Sequence, residues 1–486
     1  MKRKLKRPVR LLIVIWVFAA AGCRTPKTAD LPTTSTLITT AVDSINATTP
    51  TADASPSEYA LPAATESFGN VETGQPVNGS TLAITPSLAP APKESLPAAT
   101  GEDRWAVYHS DPQHLWNRLF RQFFRRTTNE GEEYGWDAID PLLWPETTHL
   151  FEIATYQQTV QLLDEFLATD GEMLIRDPLK RAMFQRDLWA VFDWLGLRTD
   201  NHTEQRQELQ WRIARIMQKV ALTQQEILLL PDNYMTAVKS GVFQATYQNE
   251  NPNAPFLPTG LFARNGEWVT VGRQGGPIAM THTTEFPFLG RSAFLVFIRV
   301  PGGREATLSF LWELNTEQSP GLPVGLEVAL VRRGLLIDQQ GNVIASPIVE
   351  TIQLRHFRPQ QSFYNFGLYR NRLFAEASGG LQPVDKEIML FFSHGDVFSM
   401  DYFGEVAIDV CAGCHTDAGL GIMGIKSILS YSRARFPLPN GQRPILSVTT
   451  PEYEVEAVIT WKTQQESWQR LQGLWNETIS FSVPHP

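Results

Sequence analysis

The sequence predicts an α+β fold: a helical N-terminal region, a central antiparallel β-rich region and a C-terminal segment that closes on a helix. Three observations predict it. Apolar residues recur at helical spacing between residues 103 and 240; β-branched and aromatic runs broken by Gly, Pro and Asn follow from about residue 241; helical spacing then returns near the C-terminus. At 486 residues, of which 43% are hydrophobic and 19% charged, the chain is long enough to bury such a core.

The first 23 residues stand apart from that fold. Lys2, Arg3, Lys4, Lys6, Arg7 and Arg10 precede the apolar run from Leu11 to Ala21, which is roughly half the length a membrane-spanning helix needs. The pattern is that of an export signal, and the sequence offers no second long apolar run for a multi-span protein. Ala20-Ala21-Gly22-Cys23 resembles the lipobox of bacterial lipoproteins, which implies that residues 1–23 form the signal region and that Cys23 becomes a lipid-modified N-terminus. By the same resemblance, Arg24 after the cysteine leaves the outer membrane as the default address in a two-membrane cell, an inner-membrane protein facing the periplasm being the alternative.

Residues 24–102 are dominated by Thr, Ser, Ala and Pro, with few large apolar groups to offset the entropy of ordering. They are expected to act as a disordered tether between lipid and folded body.

Residues 103–240 carry the helical patterns DPQHLWNRLFRQFFRR, TYQQTVQLLDEFLA, KRAMFQRDLWAVFDWLG and QRQELQWRIARIMQKVAL. Asp111-Pro112 and Thr223 are the expected N-terminal caps of two helices. The basic residues from Arg118 to Arg126 read as a solvated helix face. Residues 241–400 hold the strand-like runs EWVTVG, AFLVFIRV, ATLSFLWEL, LEVALVRRGLLID, IVETIQLRHF, FYNFGLYRN and EIMLFFS, with a hairpin turn in LLIDQQGNVIA. Such runs in succession, without helices between them, predict antiparallel pairing. Gly302-Gly303-Arg304 reads as a turn, because neither a lysine nor a following helix completes a phosphate loop.

Chemistry is concentrated in residues 401–486. Cys411-Ala412-Gly413-Cys414-His415 is a CxxCH sequence, and apart from Cys23 its two thiols are the only cysteines in the chain. It resembles the haem attachment motif of c-type cytochromes, the resemblance being confined to the motif and its surroundings, CAGCHTDAGLGIMGIKS. Carried over, Cys411 and Cys414 would hold one covalent haem c as thioethers, and His415 would be the proximal ligand of its iron. An exported Cys411–Cys414 disulfide and a zinc site completed from elsewhere are the alternative readings. Met400 is the leading candidate for the distal iron ligand, beside His394, Met423, the more distant His356 and His282, or no protein ligand. The aromatics Phe391, Phe392, Phe398, Tyr402 and Phe403 could wall a haem pocket or serve as ordinary core.

The net charge of -9 gives no global basis for nucleic-acid binding and favours a basic redox partner in the periplasm. No GxSxG, HExxH or Walker sequence occurs. The resulting expectation is periplasmic electron transfer. The alternatives are a haem enzyme or gas sensor with an open iron position, and an envelope binding module stabilised by haem.

Overall fold

In the computed structural model, residues 104–384 and 446–477 are described, except for 128–132, 136–138, 140–147, 198–201, 274–276, 280–281, 284–287, 316–322 and 358–361. The helical region opens with α1 (Leu115–Phe124), α2 (Ile153–Ala168), α3 (Pro178–Gly196) and α4 (Thr203–Val220), followed by the short α5 (Gln224–Leu228) and α6 (Asn233–Lys239). Helix α1 buries Trp116, Leu119, Phe120, Phe123 and Phe124, the i, i+3, i+4 stripe that its sequence shows. A two-stranded ribbon of β1 (Arg126–Thr127) and β2 (Glu133–Tyr134) follows it.

Two caps were expected, and they fare differently. Thr223 forms a full capping box at α5: its hydroxyl accepts from the Glu226 N–H at 3.2 Å, and Glu226 accepts the Thr223 N–H at 2.8 Å. Helix α1 is capped not at Asp111 but at His114, whose Nδ1 accepts the Trp116 N–H at 3.3 Å. Asp111 instead accepts the Gln113 N–H at 2.9 Å in the preceding turn, because its short carboxylate bonds two residues ahead as readily as it caps a helix. The basic face of α1 is exposed only in part, since Arg118 pairs with Glu165 at 2.9 Å.

The β-region forms one seven-stranded antiparallel sheet from β3 (Val269–Arg273), β4 (Ser292–Arg299), β5 (Glu327–Ile337), β6 (Val343–His356), β7 (Ser362–Leu368), β8 (Leu381–Pro383) and β9 (Leu446–Val448). The spatial order is β8-β7-β6-β5-β4-β3-β9, so β8 and β9 are the two edges. The expected β5–β6 hairpin is present; Asp338 Oδ1 accepts the Asn342 N–H at 2.8 Å, and Gly341 takes a φ of 83° that its turn requires.

Both faces of the sheet are covered, which explains the near-continuous apolar run of β4. Ala293, Leu295 and Phe297 join the large core beneath the helical layer, while Phe294, Val296 and Ile298 join a smaller core on the opposite face. Burial of each large apolar side chain contributes about 1.5–3 kcal/mol. The smaller core is roofed by α7 (Gly303–Asn315), which supplies Phe310 and Leu311.

That helix corrects two expectations. ATLSFLWEL is helical and not a strand, so a helix does separate β4 from β5, and a helix does follow Gly302-Gly303. Thr307, Phe310 and Leu311 are buried and Leu314 packs against the same core, a spacing of three and four that a short apolar run does not reveal unaided.

The described residues close with two helices, α9 and α10, once α8 (Arg370–Phe374) has preceded β8. Helix α9 (Pro451–Thr463) has Thr450 as its cap and Pro451 in its first turn; α10 (Glu466–Asn476) follows after Gln464-Gln465. They add Val455, Val458, Trp468, Leu471 and Trp475 to the large core, with the Trp468 ring 5.8 Å from that of Trp189. The N-terminal helical region, the central antiparallel sheet and the helical close are thus those of the expected α+β class.

Candidate functional site

Cys411, Cys414 and His415 lie outside the described residues, as do Met400, His394, Met423 and Cys23. What the fold fixes is the pair of points between which the motif is strung. The chain leaves β8 at one edge of the sheet at Val384 and re-enters at Leu446 in β9, the opposite edge. Seven strands at ~4.8 Å spacing separate these edges by about 29 Å. At ~3.3 Å per extended residue, residues 385–445 have several times that reach.

The two distant histidine candidates are described. His356 ends β6 with Nδ1 3.2 Å from Glu327 Oε1, and its ring stacks on Tyr247 at a centroid distance of 3.8 Å. Glu327 also holds Arg299 Nε at 2.8 Å, so His356 belongs to a local polar cluster. His282 stacks on Phe294 at 5.4 Å, and burial lowers its pKa to about 4, which keeps the ring neutral. Among the described residues, no group of three or more His, Cys, Asp or Glu is placed to hold a metal ion.

The most concentrated chemistry in the described residues is a buried ionic network that the sequence reading missed. Helix α3 is buried from Ala182 to Leu195 and carries Arg186, Asp187 and Asp193 within that stretch. Arg186 Nε lies 3.0 Å from Glu350 Oε1, and Arg332 Nε lies 3.0 Å from Glu350 Oε2. Ser292 donates to the same carboxylate at 2.6 Å.

Two further clusters continue the network. Asp193 Oδ2 receives Arg291 Nη1 at 2.9 Å and Lys462 Nζ at 2.8 Å, with Lys462 also bonded to the Leu289 carbonyl at 2.9 Å. Asp187 accepts from Arg370 Nε at 3.1 Å and from the Tyr108 hydroxyl. Burial and Asp187 together push the Tyr108 hydroxyl well above its ordinary range, whereas burial pulls the Lys462 ammonium down against the opposing attraction of Asp193. These groups tie α3 to β4, β5, β6, α8 and α9. Their geometry serves cohesion: each charge faces a partner of opposite sign. The signal available in the sequence was RDLWAVFD, charges set into a helical run that is apolar on every side.

Glu454 of α9 is a separate case. It is buried, accepts the Ile278 N–H at 3.2 Å, and lies so close to Gly272 that a β-carbon there would sit 2.3 Å from Oε1. Burial pushes its pKa up to about 7, partly offset by that hydrogen bond, by Thr449 and by Arg273.

No protein-family model, curated protein or solved structure matches the chain. No described helix is long and apolar enough to cross a membrane.

Proposed function

We propose that the protein is a lipid-anchored, single-haem c-type cytochrome-like protein that transfers electrons between partners in the periplasm. The CxxCH sequence at Cys411–His415 carries this reading. The donor set fits haem c: two thiols three positions apart for the vinyl groups, and an adjoining imidazole for the iron. When bound, the haem supplies one-electron exchange between ferric and ferrous iron.

The rest of the chain supports that role from outside the motif. The N-terminal signal would deliver it to the compartment where such attachment takes place, and Cys23 would be consumed by lipid, leaving no third thiol to compete. His415 would hold the iron from the proximal side, with Met400 the leading distal candidate. Acidic side chains would favour a basic partner, with association slowed by salt.

The test is spectroscopic. Full-length protein exported with the haem attachment machinery is expected to give a pyridine haemochrome spectrum of thioether-bound haem, and the double variant Cys411→Ala, Cys414→Ala is expected to lose it entirely. Colourless wild-type protein with a Cys411–Cys414 disulfide would overturn the reading. A low-spin ferric spectrum unchanged by cyanide or carbon monoxide supports electron transfer, whereas rapid ligand binding replaces it with a haem enzyme or sensor.

A further inference from the structure

A closely bonded turn precedes α1. Asn117, fully buried in that helix, reaches back to it four times. Its Oδ1 accepts the N–H groups of Tyr108 and His109 at 2.8 and 3.4 Å, and its Nδ2 donates to the carbonyls of His109 and Asp111, both at 2.7 Å. The turn so fixed stacks two imidazoles, His109 and His114, with ring centroids 4.3 Å apart and planes 21° from parallel. Each ring is also a backbone acceptor. His109 Nδ1 takes the Asp111 N–H at 3.1 Å, and His114 Nδ1 takes the Trp116 N–H at 3.3 Å, the bond that caps α1.

Only a neutral imidazole can accept in this way, because the imidazolium carries a proton on both ring nitrogens. Protonating His114 therefore breaks the cap and sets a cation at the positive end of the α1 dipole. Once His109 is charged as well, two like charges are stacked. The neighbouring charges divide: Asp111 favours the protonated form of His114, whereas Lys180 of α3 opposes it. Lys180 is held there by the Tyr108 carbonyl at 2.8 Å, with its ammonium 5.5 Å from the Phe374 ring of α8. Burial first, then His109 and Lys180, bring the His114 pKa below its ordinary 6.5. Stability from this ring is therefore complete above about pH 6.5 and is lost as the pH falls below it. We propose that His109 and His114 form an acid-operated clasp, which holds residues 108–114 onto α1 while neutral and releases that turn on protonation, with the sheet still formed. The clasp is independent of haem attachment.

Hydrogen exchange of the full-length exported protein, read by mass spectrometry and corrected for the intrinsic pH dependence of amide exchange, tests it. Between about pH 7.5 and about pH 5, amides within 108–120 are expected to lose about tenfold in protection, while peptides from β5 and β6 keep theirs. His114→Asn supplies a cap that accepts at either pH and is expected to abolish the loss. Protection unchanged by acid, an equal loss in His114→Asn, or a loss shared by β5 and β6 would overturn the proposal. Should His114→Asn not fold, His109→Asn takes its place: it keeps a short acceptor for the turn and removes the stacked charge. The loss is then expected at higher pH, and an unmoved midpoint refutes the clasp.

Discussion

Glu350 holds two guanidinium groups and a hydroxyl at once, and at 1% exposure it has no water to fall back on. Removing it as Glu350→Ala would leave Arg186 and Arg332 buried without their shared counter-charge, at a cost of about 3–5 kcal/mol. Urea denaturation followed by circular dichroism is the measurement, and a loss below about 1 kcal/mol would show that the cluster relaxes to water or other partners. Lys462→Met should cost less than Glu350→Ala in the same assay, because Arg291 remains on Asp193. Gly379 shows a constraint of another kind: its φ is 61°, and a β-carbon there would lie 1.9 Å from the Asn233 carbonyl oxygen. The start of α6 thus rests directly on the backbone that leads into β8.

Helix α9 brings a titrating carboxyl into the element that follows the motif-bearing connection. Because the folded pKa of Glu454, about 7, exceeds its ordinary value of 4.5, the native state binds the extra proton between those two values. Stability from this group is therefore greatest below about pH 4.5 and declines as pH rises through 7. Glu454→Gln is expected to match the parent near pH 4 and to exceed it by on the order of 2–3 kcal/mol at pH 8, read from urea midpoints at the two pH values. An unchanged pH dependence would refute the assignment. At this scale the sequence was most legible where periodicity was long: α1 to α4 and β4 to β6 follow their apolar patterns. The short run ATLSFLWEL was not, since β-branched and aromatic residues fit either period over nine positions, and the glycines before it initiate a helix as well as a turn. The buried network was illegible for a different reason. Arg186 lies 164 residues from Glu350, and no local pattern tells a charge that finds such a partner from one that faces water.

For the whole molecule, the export and anchoring expectation has its own test. Cys23→Ser is expected to release the protein from the membrane fraction and to abolish fatty-acid labelling, while leaving the urea midpoint of the folded body unchanged. Membrane retention without labelling would mean that some other contact holds it. The candidate haem site was legible as a motif of five residues and nothing more, because CxxCH specifies attachment chemistry, whereas the distal ligand depends on how the rest of the chain is brought round it.

The antiparallel pairing of β9 with β3 has a kinetic consequence. The two strands are separated by roughly 170 residues of chain, so their contact carries a loop-closure cost of about 4–5 kcal/mol that the adjacent hairpin β5–β6 does not face. In a chain that emerges N-terminus first, β3 therefore lacks this partner, and shows an unpaired edge on that side, until Leu446–Val448 has followed it.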